Sequence, residues 1–247
     1  MFLRNVIRAA LLVVTALAST ALPGRALDLK LGSVVPSEQE RADEQSLREG
    51  QKLLKEQRPK QAAEEFRKIS AAFEEKYGND KERFFCARTR EEEQTYMLMA
   101  ARAHAGSSRI LPMNWAMAYF LEAYSLIEAG KYSEARAPLD RAVSLSPMNA
   151  MFLSELGHLQ QRDRNWPAAL KTFKLAEGGV AFSPPDIRNT HLTRALRGQG
   201  STYIVMGRLD DAEKAYRKCL RIDGSDKVAA RQLAFLHGLR GKLRRLH

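Results

Sequence analysis

The residues best suited to chemistry in this 247-residue chain are five histidines, two cysteines and a run of three glutamates. Their spacing argues against a built catalytic or metal site. His104, His158, His191, His237 and His247 include no pair at the i, i+4 separation that a helical zinc site needs. Glu91, Glu92 and Glu93 are consecutive, so on a helix their side chains point about 100° apart and cannot converge on one ion; the run reads as a solvated face. Neither Cys86 nor Cys219 stands near a recognisable base and orienting group, and no Gly-rich loop followed by Lys is available to cradle a phosphate. The chain is therefore read as non-enzymatic, without catalytic, cofactor-binding or metal-ligating residues. A repeat domain serving an active site within the same chain is the weaker alternative, because no constellation passes the geometric requirements of one.

The elements that position these residues begin after residue 26. Arg4 and Arg8, the apolar run Ala9 to Leu22, and Gly24-Arg25-Ala26 make a secretory signal peptide, with Ser19-Thr20-Ala21 as a second cleavage point. The apolar run is shorter than the roughly 20 residues of a membrane span, although an uncleaved anchor remains an alternative. Removing residues 1–26 takes away Arg4, Arg8 and Arg25 and no acid, so the formal charge falls from +11 to +8. That surplus suits acidic partners, and export excludes nucleic acid as the natural one. No Asn-x-Ser/Thr acceptor occurs, which fits a bacterial source, and the expected destination is the periplasm, with secretion as the alternative. Exported cysteines raise the question of a disulfide. Cys86 and Cys219 lie about three repeats apart in a fold where repeats touch only neighbours, so buried free thiols are the simpler reading.

One pattern organises the rest. Tyr132, Ala135, Leu139 and Ala142 recur 34 residues later as Trp166, Ala169, Phe173 and Ala176, and Ala123 recurs as Gly157. A further shift of 43 gives Leu209, Ala212, Tyr216, Cys219 and Gly200, which is one period plus a nine-residue insertion. Gly50, Leu53, Ala62, Phe66 and Ile69 stand 73 residues before Ala123, Leu126, Ala135, Leu139 and Ala142. The divisions that follow are a flexible lead-in at 27–42, a degenerate repeat at 43–77, a non-repeat helical segment at 78–112 and three repeats at 116–149, 150–178 and 194–225. A capping helix at 226–239 and a basic tail at 240–247 complete the chain. Asn79 or Asp80 is expected to cap the middle segment, which is expected to fill the place of a missing repeat. Ser183 is expected to cap the helix that runs to Met206, with Pro184 at its first position.

With Leu156-Gly157, Trp166, Ala169, Phe173 and Ala176 as the best match, the chain resembles exported bacterial tetratricopeptide-repeat proteins over about 43–239 apart from the middle segment. Glu122 and Gln199 depart from the family pattern, standing where Leu is usual. The resemblance implies an all-α, right-handed superhelical solenoid of antiparallel helix pairs with a capping helix. It further implies a concave groove, lined by the first helices, that binds a protein or peptide. Carried over by position, the groove consists of Phe120, Tyr124 and Ile127, then Ser154, His158, Gln161 and Arg162, then Arg194, Arg197 and Ser201. Aromatic at one end and cationic at the other, it would suit an extended peptide with an apolar anchor followed by acidic residues. Packing of Phe120 and Tyr124 against the middle segment, and solvation of Arg194 and Arg197, are the alternatives. Membrane contact is expected only through the basic tail. The expected role is an interaction scaffold or adaptor of the bacterial envelope; the alternative is a structural subunit of a secretion, pilus or polysaccharide-export assembly.

Overall fold

The computed structural model describes residues 38–103 and 107–243. The expected signal peptide, residues 27–37 of the lead-in, His104 and residues 244–247 lie outside the described residues. The chain divides into two compact units, residues 1–39 and 40–247, and the elements all lie in the second apart from the first two residues of α1. In order they are α1 (Glu38–Lys55), α2 (Pro59–Tyr77), β1 (Arg83–Cys86), α3 (Arg90–Arg102), β2 (Ser108–Leu111), α4 (Asn114–Glu128) and α5 (Tyr132–Leu145). There follow α6 (Ala150–Arg162), α7 (Trp166–Gly179), a 3-10 turn at Val180–Phe182, α8 (Pro185–Val205), α9 (Leu209–Ile222) and α10 (Lys227–Leu243). None of the described helices is long and apolar enough to cross a membrane.

The helices form pairs, α1/α2, α4/α5, α6/α7 and α8/α9, each built on a large side chain lodged against a residue without a side chain or with a methyl only. A Cβ on Gly50 would lie 2.7 Å from the Phe66 ring, one on Gly157 2.7 Å from Phe173, and one on Gly200 2.6 Å from Tyr216. Phe173 is held from both sides, since Gly198 of α8 also faces its ring. Phe66, Leu139, Phe173 and Tyr216 are at most 1% exposed, so the repeated large positions are the core.

The turns repeat as strictly as the core. Gln57, Gly130, Arg164 and Gly207 have φ of 61°, 75°, 57° and 72°, and they are related by the same shifts of 73, 34 and 43. Each ends a first helix with the same two bonds, the longer running Arg58 N to Leu53 O, Lys131 N to Leu126 O, Asn165 N to Gln160 O and Arg208 N to Tyr203 O. This left-handed closure satisfies the last carbonyls and turns the chain back as a second helix. The array is thus a helical solenoid of repeats.

Residues 78–112 depart from the sequence expectation. They hold two strands paired in parallel, Arg83 opposite Ser108 through Cys86 opposite Leu111, with α3 as the crossover. The adjacent pair Phe84-Phe85 explains why. In a strand, neighbouring side chains point to opposite faces, so Phe84 reaches Tyr77 and Trp115 while Phe85 stacks on Tyr96 at 5.5 Å. Thr89, rather than Asn79 or Asp80, caps α3 by accepting the N–H of Glu92 at 3.2 Å. Nor does the segment stand in for a missing repeat. α2 packs directly on α4, Phe73 stacking on Trp115 at 5.7 Å and Arg67 bonding Glu122 at 2.8 Å. The segment is an excursion of the α2–α4 connection, tied to the α5–α6 loop by Ser146 Oγ donating to the Cys86 carbonyl at 2.6 Å.

Four further expectations are corrected. α1 begins at Glu38, inside the expected lead-in. Ser183 does not cap α8; its hydroxyl bonds His191 Nδ1 at 2.8 Å and Pro185 takes the first helical position. Glu92 is fully buried rather than solvated, receiving the Arg88 N–H at 2.8 Å and the Tyr96 hydroxyl at 2.8 Å. The cap extends to Leu243, past 239. The two departures from the family pattern are compensated: Glu122 pairs with Arg67, and Gln199 donates to Glu177 at 2.7 Å, which in turn holds Lys218.

Candidate partner-binding face

The positions inferred for the groove lie on the first helices α4, α6 and α8, and side-chain contacts link each of these helices to the next. Phe120 stacks on Phe152 with ring centroids 4.7 Å apart, joining α4 to α6. Gln161 Nε2 donates to Ser201 Oγ and Thr202 Oγ1, both at 2.8 Å, joining α6 to α8. His158 meets Phe173 edge-on at 5.0 Å, and its Nδ1 lies 3.2 Å from Gln161 Oε1. Burial holds the His158 imidazole below its ordinary pKa, with Arg194 and Arg197 adding to the effect and Glu155 opposing it.

Several of these residues are spent inside the fold, which corrects the expected chemistry of the groove. Phe120 and Tyr124 are each 5% exposed, and Phe120 packs on α6 rather than on the middle segment. Burial, with Glu128 and Glu155 nearby, pushes the Tyr124 hydroxyl up in pKa. Arg194 is buried in an ion pair with Glu155. Arg197 has a side chain 16% exposed and reaches Asp226, itself 1% exposed, at 2.9 Å. The cationic end is therefore neither a free anion site nor solvated surface, because each guanidinium already has a buried carboxylate. Ser154 is buried and bonds back to the Ala150 carbonyl at 2.7 Å.

What remains accessible lies toward the C-terminal ends of the first helices. Glu128, Arg162 and Val205 are exposed, and Ile127, His158 and Ser201 are half-buried beside them. The Arg162 guanidinium is stacked 3.4 Å from the Tyr132 ring centroid. Sequence spacing did not single out Glu155 or Asp226, the two carboxylates that consume the expected cations. The signal available was an acid at the start or centre of an otherwise apolar helix face.

Neither thiol is poised to react: Cys86 and Cys219 are free and buried, and burial pushes both up to about 12. His191, buried near Arg88 and Arg194, is held down to about 4. Among the described residues no group of His, Cys, Asp and Glu could hold a metal ion.

Comparison with known proteins supports the same architecture. A tetratricopeptide-repeat family model matches residues 120–186, and a second matches residues 195–226. No curated protein sequence matches the chain. Among solved structures the chain is similar to PilF of Pseudomonas aeruginosa, at 14% identity over 83% of this chain and 72% of that one, with a TM-score of 0.56. It is also similar to MamA, residues 41 to the end, of Desulfovibrio magneticus RS-1, at 13% identity over 81% and 86%, with a TM-score of 0.53. At such identities the likeness is one of fold. Residues 120–186 and 195–226 are tetratricopeptide repeats, and they form the central and C-terminal part of a helical solenoid.

Proposed function

We infer that the chain is a non-enzymatic interaction scaffold of the bacterial envelope that holds a protein or peptide partner on the face of its first helices. The observation that carries this is the linking of α4, α6 and α8 by the Phe120–Phe152 stack and the Gln161 bridge. It is a surface whose neighbouring helices are bridged side chain to side chain. Export and periplasmic residence rest on the N-terminal sequence pattern alone.

The open part of the face has a mixed character, with Glu128 and Arg162 as exposed charges of opposite sign and Ile127 and Val205 as apolar neighbours. Such a surface favours a partner that brings both charges and one or two apolar anchors, rather than a purely acidic peptide. The alternative, a structural subunit of a larger envelope assembly, draws support from apolar surface away from this face, at Phe235 of α10, which is 56% exposed.

Capture from an envelope extract with residues 27–247 tests the reading, comparing wild type with Glu128→Lys/Arg162→Glu. Both residues are exposed, so the double variant keeps its fold. A partner retained by wild type and lost by the variant is expected. An identical partner set for both proteins would remove the first-helix face as the binding surface.

A further inference from the structure

The positive charge of the chain is concentrated in its last helices. Residues 38–179 contain 22 Lys and Arg and 22 Asp and Glu, whereas residues 180–243 contain 12 Lys and Arg and 6 Asp and Glu. Three of those six acids are held by a neighbouring base: Asp211 by Arg208, Glu213 by Arg217 and Asp226 by Arg197. On α10 the balance is one-sided, since its sequence includes Lys227, Arg231, Arg240 and Lys242 and no Asp or Glu.

α10 packs on the array through Ala229 and Leu236, both fully buried with Tyr216 and Cys219 of α9. Its start is fixed by Asp226, whose Oδ1 accepts the N–H groups of Val228 and Ala229 at 3.1 and 3.0 Å. An α-helix turns by about 100° per residue, so with Ala229 and Leu236 facing inward, Lys227, Arg231, Phe235 and Val228 follow one another round the outward side within a sector of about 100°. All four are exposed, Phe235 at 56% and Val228 at 38%. Neither Lys227 nor Arg231 has an ion-pair partner among the described residues. Glu213 of α9 approaches α10 at His237, 3.9 Å away and outside that sector.

This combination selects an occupant. Apolar side chains beside cations, with no acid among them, are what a helix lying in the headgroup region of a bilayer presents: the cations meet lipid phosphates and the ring reaches the acyl boundary. A second copy of the same face would bring cations against cations. The other cluster of exposed apolar residues, Met97, Leu98 and Met99 of α3, lacks this complement, because α3 carries Glu91, Glu92 and Glu93 against Arg90 and Arg102. As no described helix is long and apolar enough to cross a membrane, the contact is peripheral.

We propose that α10 docks the protein on an anionic phospholipid bilayer, with Lys227 and Arg231 at the headgroup phosphates and Phe235 and Val228 at the boundary with the acyl chains. Docking here is independent of what the first helices hold, so each can fail alone.

The test is co-sedimentation of the protein of residues 27–247 with vesicles of equal parts phosphatidylglycerol and phosphatidylcholine, compared with vesicles of phosphatidylcholine alone. Binding to the anionic vesicles and not to the neutral ones is expected, and it should weaken at raised salt. One cation near such a surface is worth about fivefold in affinity, so the charge reversals Arg231→Glu and Lys227→Glu should each weaken binding by about tenfold or more. Lys227→Glu sets an acid at a helix start, where it is favourable, so its loss of binding is not a loss of fold. Phe235→Ser should also weaken binding. A polarity-sensitive fluorophore coupled to Phe235→Cys should shift to the blue on anionic vesicles, and one on Lys171→Cys of α7 should not; Cys86 and Cys219 are buried and do not compete for the label. Glu128→Lys/Arg162→Glu, which leaves the net charge unchanged, should bind as wild type. Absence of binding to the anionic vesicles, or equal binding by wild type, Arg231→Glu and Phe235→Ser, would overturn the proposal and leave this face to an acidic protein. Binding that is indifferent to the α10 substitutions and vanishes on removal of residues 244–247 would also overturn it, by making the tail the contact.

Discussion

Arg197→Glu separates a structural arginine from a ligand-binding one. As an exposed groove residue Arg197 would tolerate reversal with a change below about 0.5 kcal/mol. The structure predicts otherwise, because its partner Asp226 is 1% exposed and also caps α10. Removing one member of a buried ion pair costs about 3–5 kcal/mol. The two N–H bonds that Asp226 retains place a neutral replacement such as Arg197→Met near the lower end, and a second carboxylate in Arg197→Glu near the upper end. For a domain of this size each kcal/mol lowers the midpoint by about 2–4 °C, so Arg197→Glu should melt about 10 °C or more below wild type. The assay is circular-dichroism melting, paired with hydrogen exchange. In an array whose units touch only neighbours the loss should be local, with α9 and α10 losing protection while α4 to α6 keep theirs. Arg197→Met/Asp226→Asn should recover most of the loss, since Asn also caps helices. A melting curve for Arg197→Glu that overlays wild type would refute the assignment.

Three further outcomes follow from the same structure. Gly179 faces the carbonyl of Met148, which is backbone and cannot rotate aside, whereas Gly157 faces the Phe173 ring. Gly179→Ala should therefore destabilise by more than Gly157→Ala, whose overpacking falls in the range of about 1–3 kcal/mol, and chemical denaturation checks the order. His191 is held down to about 4 from 6.5 by burial first and then by Arg88 and Arg194. The unfolded chain thus takes up this proton first, so stability is unaffected above pH 6.5, declines as pH falls toward 4 and levels below it. That difference amounts to about 3 kcal/mol. His191→Gln should flatten this part of the pH profile, and an unchanged slope between pH 6.5 and 4 would show that the imidazole is not the titrating group. Gln57 and Arg164 occupy the left-handed turn position that Gly130 and Gly207 fill elsewhere. Gln57→Gly or Arg164→Gly should raise stability by up to about 1 kcal/mol, readable as a higher midpoint.

The parts of the fold legible in the sequence are those where one residue's shape is the constraint. A ring needs a small residue opposite it, so Phe66, Phe173 and Tyr216 appear with Gly50, Gly157 and Gly200 at fixed offsets whatever surrounds them. The strands were not legible because four residues are too short to show alternation, and Phe84-Phe85 reads as helical until two separate clusters are seen to claim the two rings. The site was legible only in outline. Position placed Arg194, Arg197 and Gln161 on the first helices, but their state depends on Glu155, Asp226 and Ser201, which lie 39, 29 and 40 residues away and are brought close by stacking. The nine-residue insertion reflects the extended start of α8, where Ser183 and His191 pair instead of capping.

The most direct test of the scaffold reading is site-specific photo-crosslinking in the source cell. A photoreactive residue is placed singly at Glu128, Arg162 and Val205, on the first helices, and at Ser144, Lys171 and Arg217, on the second helices; all six positions are exposed. The account predicts one shared partner band from the first three and none from the last three. The same band from Ser144, Lys171 and Arg217, with nothing from Glu128, Arg162 or Val205, would contradict it.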